Sequence, residues 1–156
     1  MAEEKLDSFK KRILLSSPCA FYLIAKGEKI LSNFCGGYSL LEPQKIVACE
    51  KTLFDLASLT KPLVTALIAL KSYSDGNFDL YEPIVGSKLT FTPIDLLRHE
   101  AGFPPWYPLY KFKDRDEAKN FLLKKVERIK PKTVSIYSCL GYILLGFILE
   151  EKLGES

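Results

Sequence analysis

Histidine is almost missing from this chain: His99 is the only one among 156 residues. The four cysteines, Cys19, Cys35, Cys49 and Cys139, form no C-x-x-C or Cys/His pattern. No structural zinc site follows from them, and the expectation is reduced thiols used mostly in core packing. An excess of one charge is lacking as well. The formal net charge is +3, with basic residues scattered among acidic ones, so no nucleic-acid surface is expected. Long apolar runs are also absent. The longest, 62–70 and 139–149, are too short to span a bilayer. The amphipathic start, MAEEKLDSFKKRILLSS, has no apolar block of a signal peptide. The expected location is therefore cytoplasmic, with no membrane contact and no cofactor or metal. There are no repeats or low-complexity tracts.

What is present suffices for one domain with a core: 47% of the residues are hydrophobic. Leu6, Phe9, Ile13 and Leu14 form the apolar stripe of a first helix. The stretch CAFYLIAKGEKILSNFCGG predicts a hairpin that turns at Lys26-Gly27-Glu28-Lys29. With Ala25 opposite Ile30, Phe21, Leu23, Ile30 and Phe34 would share the better core face. Cys19 and Cys35 would then point to opposite faces, against a disulfide. Residues 36–52 read as loop and short extended pieces. A helix over 58–72 stops near Ser74-Asp75-Gly76-Asn77. In FTPIDLLRHEAG, Thr92 caps, Pro93 starts the helix, Asp95 completes a capping box and Gly102 ends it. Residues 114–130 predict an amphipathic helix with Ala118, Phe121, Leu122, Val126 and Ile129 inward, stopped by Pro131. A last helix, 139–152, is apolar on all sides, with Gly141 and Gly146 permitting close contact. The fold class is α+β, buried helices packed on a small antiparallel sheet. One hairpin is few strands for so much apolar helix.

The stretch ASLTKPLVTALIAL, residues 57–70, places Lys61 at the head of an otherwise apolar helix. Leu59, Leu63, Val64, Ala66, Leu67, Ile68 and Leu70 cover every face, the pattern of a core helix. Burial and the first helical turn both push a lysine pKa down. Ser58 lies three residues earlier on the same face, with Thr65 a turn further along. A serine hydroxyl is a weak nucleophile and needs a base. A lysine brought from about 10.4 towards 7 can be that base. The spacing alone is weak, because Ser8 and Lys11 repeat it on a charged face. His99 has no G-x-S-x-G elbow to serve. Trp106, Tyr107 and Tyr110 either line a pocket mouth or cover a core edge.

TLFDLASLTKPLVTALIAL resembles the first box of the serine β-lactamase and penicillin-binding protein superfamily, especially its class C β-lactamase, D-Ala-D-Ala carboxypeptidase and esterase branch. The hairpin, DGNFDLYEPI, LLRHEAGFPPW and YSCLGYILLGFILEEKLGES follow in that family's order, over about residues 19 to 156. The resemblance implies that Ser58 is acylated, that Lys61 accepts its proton and that Tyr137 relays it. It gives His99 a structural place and Cys139 a substrate-binding one, and among the loop aromatics Trp106 is the one expected to meet substrate. Cys139 stands where the family has asparagine, and a thiol donates and accepts more weakly than a carboxamide. The third box, K-[ST]-G or H-x-G, is not found. Lys132-Thr133-Val134 lacks the glycine and precedes Tyr137. The expectation is a single, truncated domain over 1–156, with the family's C-terminal strands missing. It would be a serine hydrolase acting on a β-lactam, peptide or ester, that is, a small-molecule or peptide substrate. The alternative is a silent protein with at most a binding or self-association role. Its sheet edge and uncovered helices predict an oligomer, poor solubility or partial folding.

Overall fold

Residues 2–129, 131 and 134–154 are described by the structure, a computed structural model. Lys132 and Thr133, weighed above against the third box, lie outside them. The chain divides into two compact units, residues 1–55 and 56–156.

In the first unit the amphipathic start forms α1 (Ala2–Ser16). The hairpin forms β1 (Cys19–Lys26) and β2 (Lys29–Leu40). β2 runs on past the expected end and pairs with β3 (Ile46–Val47), giving an antiparallel sheet in the order β1-β2-β3. Ala25 does face Ile30, but a bulge at Ile24/Ala25 pairs Ile24 with Ser32 and Tyr22 with Phe34. One residue of slip exchanges the faces. Phe34 therefore stacks on Tyr22, with ring centroids 5.5 Å apart, and Phe9 of α1 packs on Tyr22 at 5.6 Å. Phe21 and Leu23, expected in the core, are about half exposed. The same slip sets Cys35 opposite Phe21, on the face of Cys19 rather than the other one. All four cysteines are free thiols, and none lies in the core; Cys49 is exposed.

In the second unit the expected helix over 58–72 is built from three pieces. A 3₁₀ turn (Ala57–Leu59) leads into a π-helical stretch (Lys61–Ala66) and then α2 (Leu67–Ser74). It is not a core helix. Only Ala69 and Ser72, one narrow stripe, are buried, while Leu63, Leu67 and Leu70 are 53%, 55% and 48% exposed. The core lies instead around α5 (Cys139–Leu153), whose Leu140, Leu144, Leu145 and Leu149 meet Leu96, Phe91, Phe103 and Leu122. Gly141 of α5 faces Leu96, whose Cδ2 would be 3.6 Å from an added Cβ, whereas Gly146 faces open space.

α3 (Pro93–Leu97) begins with the expected capping box: the N–H and hydroxyl of Thr92 donate to Asp95 Oδ2 at 2.9 and 2.8 Å. It ends at Leu97 rather than near Gly102, because His99 turns into the left-handed region at φ +59°. Gly102 serves another purpose. A Cβ there would sit 2.2 Å from the carbonyl oxygen of Ile129. α4 (Arg115–Lys124) is capped by Asp114, which accepts from the N–H of Glu117 at 2.9 Å. It stops well before Pro131, so Ala118, Leu122 and Val126 are buried but Ile129 is 42% exposed.

Candidate active site

Among the described residues two non-glycines have positive φ, Ala57 at +44° and His99 at +59°. That region disfavours a side chain, and such strain concentrates at functional positions. Ala57 precedes Ser58, and His99 abuts Tyr137.

Ser58 sits on the 3₁₀ turn and Lys61 opens the π-helical stretch, so both reach the same side. Lys61 Nζ donates to Ser58 Oγ at 3.0 Å. Tyr137 comes from the loop before α5. Its hydroxyl lies close enough to Ser58 and Lys61 for both to lower its pKa, and Lys61 Nζ lies 5.2 Å from its ring centroid. The thiol of Cys139 is close enough to Lys61 to help hold its ammonium. Four residues from two distant stretches thus converge.

Ser138, which the sequence reading did not single out, explains how the second pair is aimed. Its backbone is extended (φ −136°, ψ 129°), so neighbours on either side project together while its own side chain points the other way. That side chain is buried. Its hydroxyl donates to the Pro104 carbonyl at 2.6 Å and accepts the Leu140 N–H at 3.1 Å, capping α5. The Ser138 N–H donates to His99 Nδ1 at 3.2 Å, the Cys139 N–H to the Pro105 carbonyl at 3.0 Å and the Ile136 N–H to the His99 carbonyl at 2.9 Å. A serine just before a long apolar helix is a recognised cap signal and could have revealed this role.

The electrostatics correct one expectation. Burial pushes the Lys61 pKa down, as expected, but hydrogen bonds with Tyr137 and Cys139 outweigh it and hold the ammonium above its usual 10.5. The reason is the open setting. Lys61 is only half-buried and its neighbours are groups that gain from a cation. Tyr137 is shifted the opposite way, below its usual 10.0, by its hydrogen bond with Ser58 first and with Lys61 second. Charge is therefore drawn towards ammonium and phenolate. His99 is held below its usual 6.5, by burial and then by the charge of Lys61.

Trp106 is placed elsewhere. It lines a cleft of about 790 Å³ with Pro104, Tyr107, Phe121 and Arg128, and none of Ser58, Lys61, Tyr137 or Cys139 borders it. Among the described residues no group of three His, Cys, Asp or Glu side chains could hold a metal ion, and no helix is long and apolar enough to cross a membrane. A hydroxyl, a cation and an acidified phenol in mutual contact can deprotonate the hydroxyl and hold the proton.

A family model described as Beta-lactamase matches residues 15–156. The N-acetylmuramyl-L-alanine amidase of Bacillus subtilis (strain 168) is 29% identical, with 97% of this chain and 41% of the relative covered. Among solved structures, the octameric penicillin-binding protein homologue from Pyrococcus abyssi superposes with a TM-score of 0.81 at 26% identity. That alignment covers 100% of this chain and 40% of the homologue. The D-amino acid amidase from Ochrobactrum anthropi SV3, complexed with L-phenylalanine, gives a TM-score of 0.64 at 25% identity, covering 88% and 40%. This chain spans about two fifths of the length of these proteins.

Proposed function

Because this chain belongs to the Beta-lactamase family, we propose that it carries out serine acyl transfer through an ester on Ser58, with Lys61 and Tyr137 as its coupled base. The observation that carries this reading is the 3.0 Å contact between Ser58 Oγ and Lys61 Nζ, with the Tyr137 hydroxyl close enough for both to lower its pKa. Tyr137 in its phenolate form takes the proton of Ser58 as Oγ bonds to the substrate carbonyl carbon. Lys61 stays an ammonium and offsets the charge. The carbon–nitrogen or carbon–oxygen bond then breaks, and the leaving group takes the proton back from Tyr137. Water reverses the sequence and frees Ser58.

The substrate is an amide, peptide, β-lactam or ester. The two relatives named as amidases favour an amide bond. Cys139 meets the substrate beside Lys61, through a weaker donor than a carboxamide. Trp106 enters only for a substrate long enough to reach its cleft.

A second reading is a silent protein that binds or self-associates. The uncovered apolar side chains of the segment that carries Ser58 favour it.

Incubation with a fluorophosphonate or penicillin, followed by peptide mass analysis, separates the two readings. An adduct on Ser58 that Ser58→Ala removes supports acyl transfer. An unmodified chain, or an adduct on another serine, supports the silent reading.

A further inference from the structure

His99 grips the chain on both sides of Tyr137. Its carbonyl accepts the N–H of Ile136 at 2.9 Å, and its Nδ1 accepts the N–H of Ser138 at 3.2 Å. The imidazole ring lies against the Tyr137 ring, with centroids 4.7 Å apart, and against Tyr142 at 5.0 Å. The left-handed backbone of His99 makes the grip possible, since it turns the chain out of α3 with ring and carbonyl facing the extended segment 136–138.

We propose that His99 is a positioning residue: as a neutral imidazole it accepts the Ser138 N–H and so holds Tyr137 against Ser58 and Lys61. The inference rests on the acyl-transfer reading above. To accept at Nδ1, the ring must carry its proton on Nε2. An imidazolium donates from both nitrogens, so protonation turns the bond to Ser138 into a clash of two N–H groups. It also adds a second cation beside Lys61. The groups around the ring are Lys61 from the π-helical stretch, Tyr137 from the loop and Tyr142 from α5, with Arg98 and Glu100 flanking it in the chain. Tyr142 is itself committed, its hydroxyl donating to the Leu97 carbonyl at 3.1 Å. Burial and the nearby ammonium keep the ring neutral at neutral pH. The consequence is an extra loss on the acid side: below 6.5, the ordinary histidine value, acylation of Ser58 falls more steeply than the titration of Tyr137 alone requires.

Two measurements on the whole chain test this. In nitrogen NMR, His99 Nδ1 should be the unprotonated nitrogen, and the Ser138 amide resonance should move with the same midpoint as His99. A Ser138 amide that ignores the titration overturns the proposal without reference to activity. In fluorophosphonate labelling, His99→Leu should be slower by about tenfold, the scale of one buried donor left unpaired. His99→Asn keeps an acceptor two bonds from Cβ and tolerates the left-handed backbone. It should recover most of that loss and remove the extra steepness below 6.5, leaving only the dependence set by Tyr137. Extra steepness below 6.5 that survives in His99→Asn overturns the proposal alone. A wild-type chain that never labels on Ser58 overturns the acyl-transfer reading, and with it the positioning role.

Discussion

Tyr137 and Cys139 are presented by a segment locked into the second unit's core, whereas Ser58 and Lys61 ride on turns that contain no buried residue. On the first side, Ser138 is 2% exposed and bonded to Pro104, His99 and Leu140, and α5 follows with four buried leucines. On the second side, Leu59, Leu63 and Val64 are 57%, 53% and 43% exposed, and Ala57 holds a strained φ. One half of the site is thus fixed by packing and the other by local helical geometry and its own hydrogen bonds. A π-helical start with strain before it has little to stabilise it locally. Tyr137 is held more firmly than Ser58 and Lys61.

The largest effect expected from this contrast is on stability. Leu144→Ala, in the buried row of α5, should cost about 2–5 kcal/mol in denaturant unfolding. Leu67→Ala, on the exposed row of α2, should stay within about 0.5 kcal/mol. Equal costs would mean that the α2 face is covered in solution. Next comes Ser138→Ala, which removes the α5 cap and the Pro104 bond. It should cost about 1–2 kcal/mol and slow labelling of Ser58, because Tyr137 loses its aim. Unchanged labelling would show that the loop is held by other means. Cys139→Asn is the mildest change and should raise the labelling rate about tenfold, the worth of one good hydrogen bond to a charged group. A lower rate would mean that the thiol suits a different substrate.

The spacing of Ser58 and Lys61, the Thr92–Asp95 capping box, the hairpin turn and the extent of α5 were all legible in the residues. Each rests on contacts within a few positions of sequence, where local chemistry decides. The bulge at Ile24/Ala25 was not legible, because Ile30 and Leu31 are both apolar and either register satisfies the pattern. β3 has two residues, too few for an alternation to show. The stop of α3 at His99 competed with a better glycine at 102, and the glycine proved to be needed for the approach of Ile129. The direction of the Lys61 shift was not legible in the residues, for a physical reason. An apolar sequence implies a buried helix, whereas the stretch lies open and Tyr137 and Cys139 act on the ammonium instead. Trp106, a loop aromatic expected at a pocket mouth, does line a cleft, but one that Ser58, Lys61, Tyr137 and Cys139 do not border.

The pH profile of Ser58 labelling, compared between wild type, Tyr137→Phe and Lys61→Ala, tests the coupled base most directly. Raising pH removes the phenol proton first, since Tyr137 is held below 10.0, and the ammonium proton later, since Lys61 is held above 10.5. The rate should therefore climb into the alkaline range as the phenolate forms and fall once Lys61 is neutral, with midpoints that belong to the pair. Either substitution should slow labelling by about 10²–10⁴-fold, and Tyr137→Phe should remove the alkaline rise. A wild-type profile retained in Tyr137→Phe, or a labelling rate indifferent to both substitutions, would contradict the coupled base.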